Sequence, residues 1–411
     1  MRRVRQTVQP PRLDDVRGAT QAAMRSLLAD TNGGAEVAVG VGSRGIASLA
    51  AITRTVLDEL TAAGFEPFVV PAMGSHGGGT AEGQLEVLEG YGITEQTMGV
   101  PLRATMETVA IGTVDGFEVV IDRNVVEAGR AFVINRVKPH TDFQGSIGSG
   151  LAKMAAVGLG KQRGAQKMHL LGPDGLRDVM PAVGRFVAER LLLGGLAIVE
   201  NQLDETMLVE ALPPAGIGGR RESELLELAR AELPRIPFGD LDVVIVEQIG
   251  KDISGTGVDP NVLGRWLVLG LPEPQPVLTR SVVALDLTPA SHGNALGIGL
   301  VDFVPERLAA AIDHRAMYVN GLTSGWLGFS RSKLPIVLPT DSDAIATAAA
   351  VCARVPGDPR LVWIRDTLST RELAISRALW DEAGAQPGLE PVGEPFTPAF
   401  VEGRLVRLDE A

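Results

Sequence analysis

A two-domain α/β protein built on parallel sheets is predicted by three features of the sequence. Apolar runs that read as buried strands are repeatedly followed by glycine-rich loops and then by helical patterns, as in strand–loop–helix units. At 411 residues the chain is longer than one ordinary domain. The stretch 233–239, LPRIPFG, sets two prolines and a glycine after a charged helical pattern, and a fresh α/β pattern starts beyond it. The expected domains are 1–234 and 235–370, with a segment 371–411 packing back toward the first domain and a ligand cleft between the two α/β domains.

Taken in order, 36–40 (EVAVG) reads as a strand that breaks into Gly42, Ser43, Arg44 and Gly45, with a helix over 48–63. A second strand at 68–71 runs into Gly74, Ser75, His76 and three glycines before a helix at 81–89. Ligand loops in such units sit at the carboxyl ends of the strands. Residues 102–122 read as a hairpin about Asp115-Gly116. The stretch 131–170 opens with the apolar strand 131–134 and continues through Lys138, Pro139, His140 and Asp142 into small residues at 145–150. A helical pattern with Lys153 follows, and then His169. Helices are expected over 176–193 and 218–233, the latter amphipathic with Glu222, Glu224 and Glu227 on its polar face, and a strand over 196–200. The second domain repeats the scheme: strands at 242–246, 281–287 and 361–365, helices at 304–313 and 342–354, and a helix after 372.

Composition narrows the chemistry. Aromatics are 4% of residues against 45% hydrophobic, so the cores must rest on Val, Leu, Ile and Ala. A net charge of −12 repels phosphate backbones and argues against nucleic acid as a partner. One cysteine, Cys352, allows no intrachain disulfide and cannot by itself ligate an iron–sulfur cluster, and it reads as a core residue of a helix. No apolar run approaches the roughly 18 to 20 residues of a membrane span, and the amino-terminal stretch lacks the apolar centre of a secretory signal. A cytoplasmic protein is expected, with a homodimer as an admissible assembly.

Three of the five histidines, His76, His140 and His169, follow or flank strand-end loops of the first domain, while His292 and His314 read as structural. A strand-end histidine often only hydrogen-bonds backbone. Two imidazoles facing each other across a substrate, however, make a symmetric acid–base pair near neutral pH, with the third available for a metal. The small residues nearby let backbone amides approach a phosphate or carboxylate. The stretch around Gly40 and Gly42 lacks the third glycine of a dinucleotide fingerprint, and no phosphate-binding G-x-x-x-x-G-K-[ST] occurs.

The ordered set Arg44, His76, His140, Lys153 and His169 resembles the lactate racemase family, which uses a nickel-pincer nucleotide. The spacing of Lys153 and His169 is similar to that of the family's cofactor-tethering lysine and nickel-ligating histidine. The resemblance implies His76 and His140 as catalytic acid–base residues, Arg44 as the ligand of the substrate carboxylate, and His169 as the metal ligand. It implies cofactor contacts from Lys153, Gly74, Ser75, Gly148 and Trp326. In the second domain it implies substrate contacts from Gln248 and Lys251, with Asp259, Asn261 and Arg265 as a rival set. The interval from His140 to Lys153 is longer than in the lactate enzyme, so Lys161 or Lys167 are alternative tethers, and binding of the nucleotide without a covalent link is a further alternative. The implied reaction is racemisation or epimerisation of an α-hydroxy acid by proton-coupled hydride transfer. Two other readings stay open: a nicotinamide-dependent 2-hydroxy acid oxidoreductase, and a non-catalytic nucleotide- or nickel-binding protein.

Overall fold

The computed structural model describes every residue except 32, 44, 142, 269–271, 274–278 and 410–411. The chain divides into two compact units: Pro11–Glu232, and Met1–Pro10 together with Leu233–Ala411. Strand β1 (Arg2–Gln6) therefore belongs to the carboxy-terminal unit.

In the amino-terminal unit, β2 (Glu36–Val41), β3 (Glu66–Pro71), the hairpin β4 (Thr108–Val114) and β5 (Phe117–Asp122), β6 (Ala131–Arg136), β7 (Leu192–Glu200) and β8 (Thr206–Leu212) follow in order. The main sheet runs β3-β2-β6-β7-β8, parallel except for β8, which pairs antiparallel with β7. The central strands are apolar on both faces because both faces are covered. Val39, Phe132 and Ile134 pack with the helices Val16–Leu28 and Leu49–Ala62. Ala131 and Val133 face the helices Met180–Leu191 and Arg220–Ala231. The predicted hairpin is present as its own two-stranded sheet. Its Asp115-Gly116 turn has φ of 50° and 80°, the left-handed pair that suits a two-residue hairpin loop.

Two departures matter for the site. The helical stretch after Gly150 passes through a π-helical turn at Met154–Gly158, and a new helix, Lys161–Leu170, starts at Lys161 with φ of 53°. The helix expected at 176–193 begins with another π-helical turn, Gly175–Val179, and gives way to β7 at Leu192. Such turns insert a residue into the helical hydrogen-bond ladder and recur at functional sites.

The carboxy-terminal unit carries β9 (Leu241–Ile249), β10 (Thr279–Leu287), β11 (Phe303–Pro305), β12 (Ile336–Leu338), β13 (Leu361–Ile364), β14 (Glu372–Ile375) and β15 (Leu389–Val392). Their order is β12-β11-β10-β9-β13-β14-β1-β15. The first five are parallel, while β1 lies antiparallel between β14 and β15. Segment 371–411, expected to pack toward the first domain, instead supplies strands to this sheet. The stretch after 372, expected to be helical, begins as β14. Alternation in β1 is hidden by its arginines: only Val4 and Gln6 are buried. Cys352 ends the helix Asp341–Cys352, half-buried against the core formed with Trp363 and Val243.

Candidate active site

Strand β2 leads to β3 on one side of the amino-terminal sheet, whereas β6 leads to β7 on the other. The order reverses between β2 and β6, and the crevice outside their carboxyl ends is where open α/β sheets take ligands. Loops from β3 and β6 carry His76 and His140 to that edge. Arg44 lies outside the described residues.

Beyond β3 the chain enters loop 74–79. Gly77, Gly78 and Gly79 have φ of 64°, 67° and 69°, a run of left-handed backbone open essentially to glycine. The turn folds the loop onto the helix Ala81–Gly90 so tightly that a Cβ on Gly77 would sit 2.5 Å from the carbonyl carbon of Gly83. His76 leads this turn, half-buried, with its Nδ1 2.6 Å from Ser43 Oγ in the loop after β2. Ser75 is half-buried beside it, and Gly74 donates its N–H to the Gly158 carbonyl at 3.2 Å.

Beyond β6, an excursion leaves and re-enters through a neck in which Lys138 and Ser149 exchange two backbone hydrogen bonds of 2.8 Å. Gly148 lies in that neck, where a Cβ would come within 2.7 Å of the Lys138 carbonyl oxygen. Its small size therefore serves the approach of the chain to itself. His140 is 6% exposed and stacks on Phe143 with ring centroids 4.5 Å apart. Its Nε2 lies 2.7 Å from Lys153 Nζ. The two nitrogens share one proton: an ammonium donates to a neutral imidazole, or an imidazole N–H donates to a neutral amine.

Lys153 is held in place from behind. Asn135 at the end of β6 donates its side-chain amide to the Gly150 carbonyl at 3.0 Å. The carboxylate of Glu222, 1% exposed, accepts from the N–H groups of Ala152 at 3.1 Å and Gly218 at 2.7 Å. Burial pushes the Glu222 carboxyl upward, opposed by these backbone donors. Glu222 thus turns inward, contrary to its expected place on the polar face of its helix. No periodic pattern announces this, because the cause is a pair of backbone donors, Ala152 from another element and Gly218 ahead of the Glu222 helix.

His169 is half-buried in the last turn of the helix Lys161–Leu170. The alternative tethers sit elsewhere on the same helix. Lys161 has no exposed surface and pairs with Asp122 at 3.0 Å, while Lys167 pairs with Glu118 of the hairpin. Behind the β2 loop, Glu200 accepts the Ala47 N–H at 2.6 Å and pairs with Arg136. An internal carboxylate therefore stands beside the amino end of the helix Leu49–Ala62, where a dinucleotide's pyrophosphate would lie. Gly42 is used for packing: a Cβ there would be 2.7 Å from the Met154 methyl.

In the carboxy-terminal unit, Gln248 lies half-buried near the end of β9, its backbone N–H donating to the Arg365 carbonyl at 2.9 Å. Lys251 follows in the turn. Its N–H donates to Ser291 Oγ at 2.8 Å and its ammonium to the Gly255 carbonyl. In the rival set, Asp259 caps the short helix Pro260–Leu263 and accepts from the Asn261 N–H at 3.0 Å, while buried Arg265 pairs with Asp302. These three have local structural tasks. Trp326 packs, partly buried, with Trp266, Val268 and Leu327.

The fold is shared with a solved structure. A crystal structure of a structural-genomics target protein from Thermotoga maritima matches this chain with a TM-score of 0.52 at 14% identity, covering 79% of this chain and 83% of that one. No family model matches the chain, and no curated protein matches it. At that identity the likeness establishes a common α/β architecture. Among the described residues, no three His, Cys, Asp or Glu side chains gather as a metal-binding group.

Ser43, Asp122, Asn135 and Glu222, which hold these residues through the contacts above, carry no sequence signal of their own. Ser43, next to Arg44, was the one within reach of a motif-based reading.

Proposed function

We propose that this protein racemises or epimerises an α-hydroxy acid with a nickel-pincer nucleotide. The observation that carries the reading is the 2.7 Å contact between His140 Nε2 and Lys153 Nζ. It joins the second acid–base candidate to the candidate tether across an insertion that sequence spacing alone leaves unexplained. His76 and His140 rise from β3 and β6, which are separated by β2. Two inter-strand spacings amount to about 10 Å, a separation suited to two groups flanking one small molecule.

The donor set suits the proposed group. The pincer brings its own carbon and sulfur donors, asks the protein for one imidazole, and needs no cysteine; His169 would supply that ligand and Lys153 the tether. When bound, the nucleotide would accept and return the substrate's α-hydride. The chain's own residues would handle the rest. His76, held through Nδ1 by Ser43, would exchange the hydroxyl proton at Nε2, and His140 would do so at its own Nε2. Arg44 would grip the carboxylate through a bidentate pair, with Gly74, Ser75 and Gly148 flanking the nucleotide. Among the described residues no helix is long and apolar enough to cross a membrane, and a cytoplasmic location is part of the proposal.

The test uses protein made in cells able to build the nucleotide, analysed by intact mass, nickel content and turnover of a panel of chiral hydroxy acids. His76→Ala and His140→Ala should keep the nickel and the added mass but lose racemisation by roughly a hundredfold or more. Undiminished racemisation in the double variant would overturn the proposal, as would hydride transfer that depends on added NAD.

A further inference from the structure

Beneath loop 74–79 lies a buried polar network that the proposed chemistry does not itself use. Lys161, Gln84 and Asp122 are each fully buried. The Lys161 ammonium donates to the Pro71 carbonyl at 2.6 Å and to Gln84 Oε1 at 3.0 Å, and it forms an ion pair with the Asp122 carboxylate at 3.0 Å. That last contact fixes which way the Gln84 amide points, since its oxygen must face the ammonium. Its Nε2 then faces the other way and donates to the Gly74 carbonyl at 2.9 Å and the His76 carbonyl at 3.2 Å. The ammonium thus ties together the end of β3, the end of β5 and the helix Ala81–Gly90, and Gln84 passes this anchoring to the two loop residues that bracket Ser75.

We propose that Gln84 is the positioning residue of His76, with Lys161 as its anchor, so that the imidazole is held at Ser43 before any ligand arrives. Loop 74–79 contains four glycines and is intrinsically pliable. Without a fixed carbonyl at His76 the Nδ1 to Ser43 contact would be one of many arrangements. Because Lys161 begins the helix that bears His169, the same anchor also sets the start of that helix. The catalytic meaning of this rests on the acid–base reading of His76, but the positioning can be measured in the protein alone.

Gln84→Glu separates the two roles of the side chain. The carboxylate still accepts from Lys161, so the buried cation keeps its three partners. It now opposes the carbonyl oxygens of Gly74 and His76, so the loop loses both donors. The His76 ring nitrogens would be followed by NMR of histidine-labelled protein without substrate, with Ser43→Ala as the reference for a broken contact and His76→Gln for assignment. The expected result is a cooperatively folded Gln84→Glu protein whose His76 ring signals move to those of Ser43→Ala. In nucleotide-loaded protein, kcat should fall by about ten- to a hundredfold with KM changed less than about threefold.

Unchanged ring signals in folded Gln84→Glu would overturn the proposal. So would a Ser43→Ala variant that leaves them unchanged, because the contact to be held would then be absent. If Gln84→Glu fails to fold, Gln84→Met takes its place, and failure of both makes Gln84 a core residue only, which also refutes it. The ring measurement stands however the hydroxy-acid assay turns out.

Discussion

Removing the Glu222 carboxylate should cost the amino-terminal unit about 3 kcal/mol. The side chain accepts from the N–H groups of Ala152 and Gly218, and both would be left buried without it. Each orphaned buried donor costs roughly 1–3 kcal/mol. Relief from burying a charge offsets part of that sum in Glu222→Ala, whereas Glu222→Gln keeps one acceptor and should lose about half as much. The assay exploits an asymmetry of composition. All four tryptophans, Trp266, Trp326, Trp363 and Trp380, lie in the carboxy-terminal unit. Urea unfolding followed by far-ultraviolet circular dichroism reports both units, and tryptophan fluorescence reports one. Glu222→Ala should bring part of the dichroism transition to lower urea while leaving the fluorescence transition in place. A loss below about 1 kcal/mol, or a glutamine variant worse than alanine, would refute the reasoning.

Two further outcomes follow from particular contacts. Gly148→Ala pushes a Cβ to within 2.7 Å of the Lys138 carbonyl oxygen. It should open the neck of the His140 excursion at a cost of about 2 kcal/mol, read as faster amide exchange at Lys138 and Ser149. Glu247 is buried beneath Trp363 and Leu408, whose Nε1 and backbone N–H both donate to its Oε1. Burial raises its carboxyl above the ordinary 4.5. In the unfolded chain it therefore ionises first, and stability declines as pH rises from about the ordinary carboxylate value through the raised one. Glu247→Gln keeps the acceptor and removes the charge, so it should be more stable than the parent by on the order of 1 kcal/mol near neutral pH. The advantage should vanish in acid, and tryptophan fluorescence melts across pH would show a flat difference if this is wrong.

The parallel strands were legible because strands covered on both faces must be apolar throughout, as in 131–134. The break near Leu233 was legible from its prolines. Strand β1 was not, since RRVRQ presents charge at nearly every position and only its neighbours β14 and β15 give Val4 a core to enter. In β14, four residues are too few to distinguish a strand from a helical turn. His76, His140 and Lys153 stood out as candidates because histidine is scarce in this chain and the residues around these loops are small. Lys161 misled for a physical reason: a lysine is presumed solvated, and its burial depends on three acceptors contributed from Pro71, Gln84 and Asp122. The inward turn of Glu222 has a similar cause, backbone donors at Ala152 and Gly218 that no helical periodicity encodes.

The placement of β1 has a consequence for biosynthesis. Its ladder partners are more than three hundred and sixty residues downstream, at Glu372–Ile375 and Leu389–Val392. During translation the first strand leaves the ribosome long before anything exists for it to pair with, while Pro11–Glu232 can collapse as soon as it emerges. The nascent protein therefore carries an unpaired, arginine-rich strand beside an already finished half, and the other half can be completed only once residues 372–392 have been made.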